Sequence, residues 1–192
     1  MLSLKAQFNN SFLSVLPVSI RITIALLMRL PWLAVNMVTL FIAISVVDAF
    51  ESVIAGMVAL ATFLPLVSGQ GGNAGSQTAT VIVRGLALGE VDERNGLRAL
   101  TKEVAAALIN GAIVGAGTAI AIYVWKREPV IAVAAMLAMT LNFVMAAMAG
   151  VLVPLGLKAI RVDPALASAA FVTGITDTLG FLFLLGIASL LL

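Results

Sequence analysis

The 192-residue chain is 62% hydrophobic and 10% charged, with a mean hydropathy of +1.16, a balance that excludes an ordinary soluble domain. It contains neither cysteine nor histidine, which excludes disulfides, thiolate or imidazole metal sites and catalysis by a histidine base, so any bound metal must be a hard cation held by oxygen. The net charge of +2 and the pI near 9.4 rest on few charges and reflect membrane topology rather than nucleic-acid binding.

Taken in order, residues 1–30 mix apolar positions with Pro17, Arg21 and Arg29, predicting an amphipathic helix or linker at the membrane surface. A first span is expected from about Pro31 to Val47. Asp48 and Glu51 follow it, either as an outer mouth that concentrates cations or as a simple helix end at the interface. The second span, about Ala55 to Leu88, holds Pro65 and the cluster Gly69, Gly71, Gly72 and Gly75, which predicts a glycine-interrupted helix. Loosened backbone at membrane depth is tolerated only under protein cover or beside a water-filled cavity.

Glu90 to Glu103 reads as a polar loop in which Glu90, Asp92, Glu93 and Glu103 pair with Arg94, Arg98 and Lys102, with an inner regulatory cation site as the minority reading. A third span, Val104 to Trp125, has Gly111 and Gly115 at the four-residue spacing of a close helix crossing. Lys126 to Pro129 makes a turn. The fourth span, Val130 to Leu157, sets Ala138, Asn142, Ala146 and Ala149 on one face, with Asn142 placed to bond across helices. Asp163 is the expected N-cap, and Pro164 the first-turn residue, of a fifth span that runs to Leu192. Trp32 and Trp125 suit the two interfaces. The expected fold is an all-α integral membrane protein of five transmembrane helices, each near or above the roughly 20 residues a bilayer requires once the first borrows from its flanks. Nine basic residues then fall on the side of the N-terminus and two, Lys126 and Arg127, on the other, which predicts a cytoplasmic N-terminus, an external C-terminus and a multi-pass protein of the inner (plasma) membrane.

Asp177 lies near the middle of the fifth span. A carboxylate at that depth costs roughly 2.5–3.5 kcal/mol even on insertion scales, so it must face a protein interior or a water-filled path. Thr173, Asp177, Gly180 and Leu184 share one helical stripe, offering a hydroxyl, a carboxylate and a gap. The glycine-rich run from Gly69 to Gln77 adds oxygens at Asn73, Ser76, Gln77 and Thr78 that can meet a hydrated cation. The same run, with Gly71 four residues before Gly75, equally suits a plain close-packed helix crossing. No Walker pattern occurs, so no nucleotide is expected to bind, and nothing calls for an organic cofactor.

Leu64-Pro65, the string Gly-Gly-Asn-Ala-Gly-Ser-Gln at 71–77 and Arg-Gly-Leu-Ala-Leu-Gly-Glu at 84–90 resemble the membrane domain of MgtE-type magnesium channels and transporters. The resemblance extends to Phe50-Glu51-Ser52, Val162-Asp163-Pro164-Ala165-Leu166-Ala167-Ser168 and Thr176-Asp177 with Gly180, and covers roughly Pro31 to Leu192. It implies a homodimer around one central pore lined by the second and fifth helices, with Asp177 of both copies holding Mg2+ in its water shell. It also implies pore-lining places for Gly69, Gly72, Asn73, Ser76, Thr173, Thr176 and Gly180. Two departures stand out. Family members carry a cytoplasmic N-terminal domain and paired CBS modules ahead of the first span, whereas residues 1–30 precede it in this sequence, which is either a piece of a longer chain or a natural minimal form and puts Mg2+-sensing closure by those domains in doubt. Ala169 stands where relatives are expected to carry Asn or Gly.

Mg2+ sheds water reluctantly and demands octahedral oxygen geometry, so few carboxylates, amides and carbonyls suffice to grasp it hydrated. The expected function is therefore a Mg2+-selective channel driven by the membrane potential, with Mn2+, Co2+ or Ca2+ as further candidate ions. The alternative is a proton- or sodium-coupled divalent cation transporter that uses Asp177. A membrane aspartyl protease would need a second carboxylate beside the first, and Asp48 and Glu51 both lie near a helix end; an enzyme is not expected.

Overall fold

The computed structural model describes residues 17–92 and 95–192. These form six helices: α1 (Val18–Ala49), α2 (Glu51–Gly56), α3 (Ala59–Leu88), α4 (Gly96–Lys126), α5 (Pro129–Ala159) and α6 (Pro164–Leu191). Among the described residues four segments are long and apolar enough to cross a bilayer: α1, α4, α5 and Ala167–Leu191 of α6. The remaining expected span is α3. Its 30 residues are long enough, but Ser68, Gln70, Asn73, Ser76, Gln77, Thr78 and Thr80 make it too polar to qualify by composition.

The expected interruption of this helix is not found. α3 runs unbroken through Pro65 and all four glycines, and the chain breaks earlier, at Met57 and Val58, between α2 and α3. Glycine costs a helix about 1 kcal/mol per residue, yet here it gains close approach: a methyl group on Gly71 would land on the Asn142 amide, and one on Gly75 would meet the Val172 side chain. The α3 C-terminus is set by Gly89 at φ 76°, where the Glu90 and Val91 amides both turn back to the Gly85 carbonyl. Of the N-terminal segment expected to lie on the membrane surface, residues 17–30 enter α1 and continue through Pro31 without a break, whereas residues 1–16 lie outside the described residues.

α5 is the central element. Its alanine-rich surface, with Ala134, Ala135, Ala138 and Ala146 fully buried, lets α3, α4 and α6 pack closely around it. The α4 crossing uses Gly111 and Gly115, where a Cβ would press on the Thr140 backbone and on the Met136 carbonyl at 2.7 Å. Among the described residues α1 packs chiefly on α6, with Thr39 lying against Gly174. Its other faces carry exposed Leu27, Leu33, Val38 and Phe41, as a lipid-facing helix should. At the start of α6 the Asp163 carboxylate accepts from the Ala165 amide at 2.9 Å with Pro164 in the first turn, the expected cap.

Two further residues are placed differently from the sequence reading or more fully. Glu103, read as part of a loop, stands in α4, half-buried, and accepts from the Thr78 hydroxyl at 3.3 Å. Helix α4 begins at Gly96, before the expected third span, because Asn95 closes the preceding turn by bonding the Asp92 amide and the Glu90 carbonyl. Trp125 is mostly exposed, edge-on to Phe63 at 6.2 Å with the Lys126 ammonium 4.7 Å above its ring.

Candidate functional site

Asp177 stands midway along the 28-residue α6 and is half-buried. Its side-chain hydrogen-bond neighbour is Ser68 of α3, a residue that is itself 5% exposed. The pair forms because α3 and α6 approach closely at Gly180: a Cβ there would lie 3.2 Å from the Ser68 Cα and 2.8 Å from the Asn142 Nδ2. Sequence reasoning missed Ser68. A serine beside Gly69 gives no signal of that role in the sequence.

Asn142 comes from α5 and completes the junction. It is fully buried, donates from Nδ2 to the Val67 carbonyl at 3.0 Å, and lies in the space left by Gly71 and Gly180. Three helices are thus locked together at the level of Asp177. One turn away the same seam continues, where Gly72 faces the Thr176 hydroxyl at 3.6 Å from where its Cβ would be. Thr176 is fully buried, and its hydroxyl donates to the Val172 and Thr173 carbonyls of its own helix.

The sequence-predicted residues therefore divide. Gly69 and Asn73 are exposed, Gly72 and Ser76 are half-buried, and all four lie within a ~100° arc of α3. Nothing within 4 Å would meet a Cβ at Gly69. Gly71 and Gly75 lie on the opposite arc and are packed. The close-packed crossing is thus met at Gly71 and Gly75, while Gly69, Gly72, Asn73 and Ser76 lie on the other side of the helix. Gly180 and Thr176 are buried in the seam; Thr173 is half-buried and lines a separate cavity of about 380 Å³ with Arg29, Trp32, Asn36 and Ala169, between α1 and α6. Asp48 and Glu51 are exposed at the turn between α1 and α2. The adjoining Phe50 and Val53 pack into the apolar core that holds Leu184 and Ala188, roughly 10–17 Å beyond Asp177 along α6. Those two acids thus do not join the Asp177 site.

Chemically, the junction presents one carboxylate, one serine hydroxyl and helix carbonyls. Among the described residues no group of three or more Asp or Glu is positioned to hold a metal. A single carboxylate with neutral oxygens is too little to strip a divalent ion of its water, and it suits an ion that stays hydrated.

A family profile, MgtE, described as "Divalent cation transporter", matches residues 64–187, which include Ser68, Asn142 and Asp177. The chain belongs to the MgtE family. Proteins named "Magnesium transporter MgtE" are similar to this family member over most of its length. That of Bacillus subtilis (strain 168) is 32% identical over 161 residues, 84% of this chain and 36% of the relative. That of Thermus thermophilus is 34% identical over 166 residues, 86% of this chain and 37% of the relative. The Enterococcus faecalis protein is 33% identical over 162 residues, 84% and 36% respectively. This MgtE chain thus spans little more than a third of the length of these relatives. These relatives are named as transporters.

Proposed function

We propose that this chain forms the ion-conducting unit of a magnesium transporter, two copies facing each other so that both α3 and α6 pairs line one pore with two Asp177 carboxylates at its centre. The observation that carries the reading is the position of Asp177: half-buried at mid-helix on α6, hydrogen-bonded to Ser68, beside the open polar arc of α3. Exposed Asn73 on a helix at membrane depth is costly against lipid, and a second copy of the same surface covers it. Two-fold symmetry then doubles the single carboxylate and gives a hydrated divalent cation opposite charges to meet.

The driving force is sufficient without a coupling partner. One elementary charge moved through 100 mV is worth about 2.3 kcal/mol, and a divalent ion gains about twice that on entering a negative interior. With the N-terminus cytoplasmic, basic Arg84, Arg98, Lys102, Lys158 and Arg161 lie on the inner side of the plasma membrane, as the positive-inside rule requires. Mn2+, Co2+ and Ca2+ are the competing ions to compare. Mg2+ flux into liposomes at a fixed potential tests the reading: flux without any imposed H+ or Na+ gradient supports the channel. Flux only under such a gradient gives the coupled transporter in its place.

A further inference from the structure

A second polar site lies off this path. Helices α3 and α4 both pack on α5 and meet each other through side chains, Phe63 with Trp125 and Thr78 with Glu103, and between them lies a cleft of about 230 Å³. Its floor is apolar, Phe143 and Ala147 of α5, while Gln77 and Thr78 of α3 and Glu103 and Asn110 of α4 line its walls. Glu103 is seven residues, roughly 10 Å, inside the start of α4, and Thr78 is six residues, roughly 9 Å, from Arg84. The cleft thus lies below the basic end of the bundle, at membrane depth.

The hydrogen-bonding capacity here is largely unspent. Glu103 receives one bond, from Thr78, and among the described residues no Lys or Arg pairs with it. Neither the Gln77 nor the Asn110 amide has a partner among the described residues. A half-buried carboxylate without a counter-charge, next to two idle amides, is costly in a bilayer.

We propose that this cleft binds a hydrated divalent cation, with Glu103 supplying the charge and Gln77, Asn110 and Thr78 supplying oxygens to its water shell. Size and chemistry agree. The six waters of an octahedral Mg2+ occupy roughly 180 Å³ at about 30 Å³ each, which the cleft accommodates, and one carboxylate is a usual share of protein charge for an ion that keeps its water. A bound ion adds a tie between α4 and α3 beside the Thr78 to Glu103 hydrogen bond. Cation concentration on the basic side of the membrane is thereby coupled to the position of the helix that carries Ser68 and the open glycine arc. The site does not depend on the pore reading.

The test is a Mn2+ titration of the full chain in lipid nanodiscs, with free Mn2+ followed by electron paramagnetic resonance, for wild type, Glu103→Gln, Asp177→Asn and the double variant. The expected result is a class of sites that persists in Asp177→Asn, weakens tenfold or more in Glu103→Gln, and is displaced by Mg2+ but not by excess K+. Because Glu103→Gln also alters the Thr78 contact, a Gln77→Ala, Asn110→Ala pair with Glu103 retained is included and is expected to weaken the same class three- to tenfold. Unchanged titration in Glu103→Gln overturns the proposal. So does loss of all binding in Asp177→Asn, or equal displacement by K+; a cleft sealed by a second copy gives the first of these. Persistence of the Glu103 class when Asp177→Asn changes neither binding nor flux keeps this site and removes Asp177 from the pore.

Discussion

Asn142 Nδ2 donates to the Val67 carbonyl at 3.0 Å, joining α5 to α3 across 75 positions of sequence, while its buried Oδ1 has no partner among the described residues. One amide thus fixes the helix that carries Ser68 relative to the helix that carries Asp177, because Gly71 and Gly180 both make room for it. Asn142→Ala removes the bond and leaves a gap between those glycines. The expected cost is about 1–3 kcal/mol, seen as a lower unfolding temperature in detergent, with reduced Mg2+ flux per folded molecule. An unchanged unfolding temperature would show that the bond does not hold the junction.

The glycines of α3 give a paired prediction. Gly71→Ala forces a methyl group onto the Asn142 amide and is expected to destabilise by roughly 1–3 kcal/mol. Gly69→Ala meets nothing within 4 Å, so it should raise stability by up to about 1 kcal/mol while conduction changes. Thermal unfolding and liposome flux, measured on both variants, separate packing from pore-lining.

Much of this was legible in the sequence, for reasons that particular residues show. Asp177 stands out because a carboxylate within an apolar helix has a known cost, and Asp163 with Pro164 carries a helix start in its local chemistry. Asn142 was recognisable as a cross-helix bonder from its place on a small-residue face. The failures were at tertiary level. Glycines in α3 read as a break because their local effect is to loosen a helix, whereas the contact with Asn142 and Val172 that offsets this comes from α5 and α6. Glu103 read as loop because it follows a polar run, and only the fold brings Thr78 to it, 25 residues away. Ser68 carried no signal, since a serine beside a glycine is ordinary until α6 is packed against it.

The chain has no cysteine, so single introduced cysteines report on assembly without background. Asn73→Cys, on the exposed arc of α3, is expected to form a disulfide between copies in membranes under mild oxidation. Ile113→Cys, exposed on α4, is expected to remain uncrosslinked. Crosslinking at Ile113 and none at Asn73, read on a non-reducing gel, would place the interface on the wrong side of the bundle.

Loss of the α6 cap should be local. Asp163→Ala removes the acceptor of the Ala165 amide and is expected to cost about 1 kcal/mol, with faster amide exchange in the first turn of α6 and little change near Asp177. Exchange that accelerates along the whole helix would show the cap to be holding more than its own turn.

The central claim is that Asp177 is the charge a permeating divalent ion meets. The most direct measurement is Mg2+ flux into liposomes at a set inside-negative potential, with wild type beside Asp177→Asn and Asp177→Ala, each checked for folding. The account predicts wild-type flux without a counter-ion gradient and loss of flux or of divalent selectivity in both variants. Wild-type flux and selectivity in both variants would contradict it.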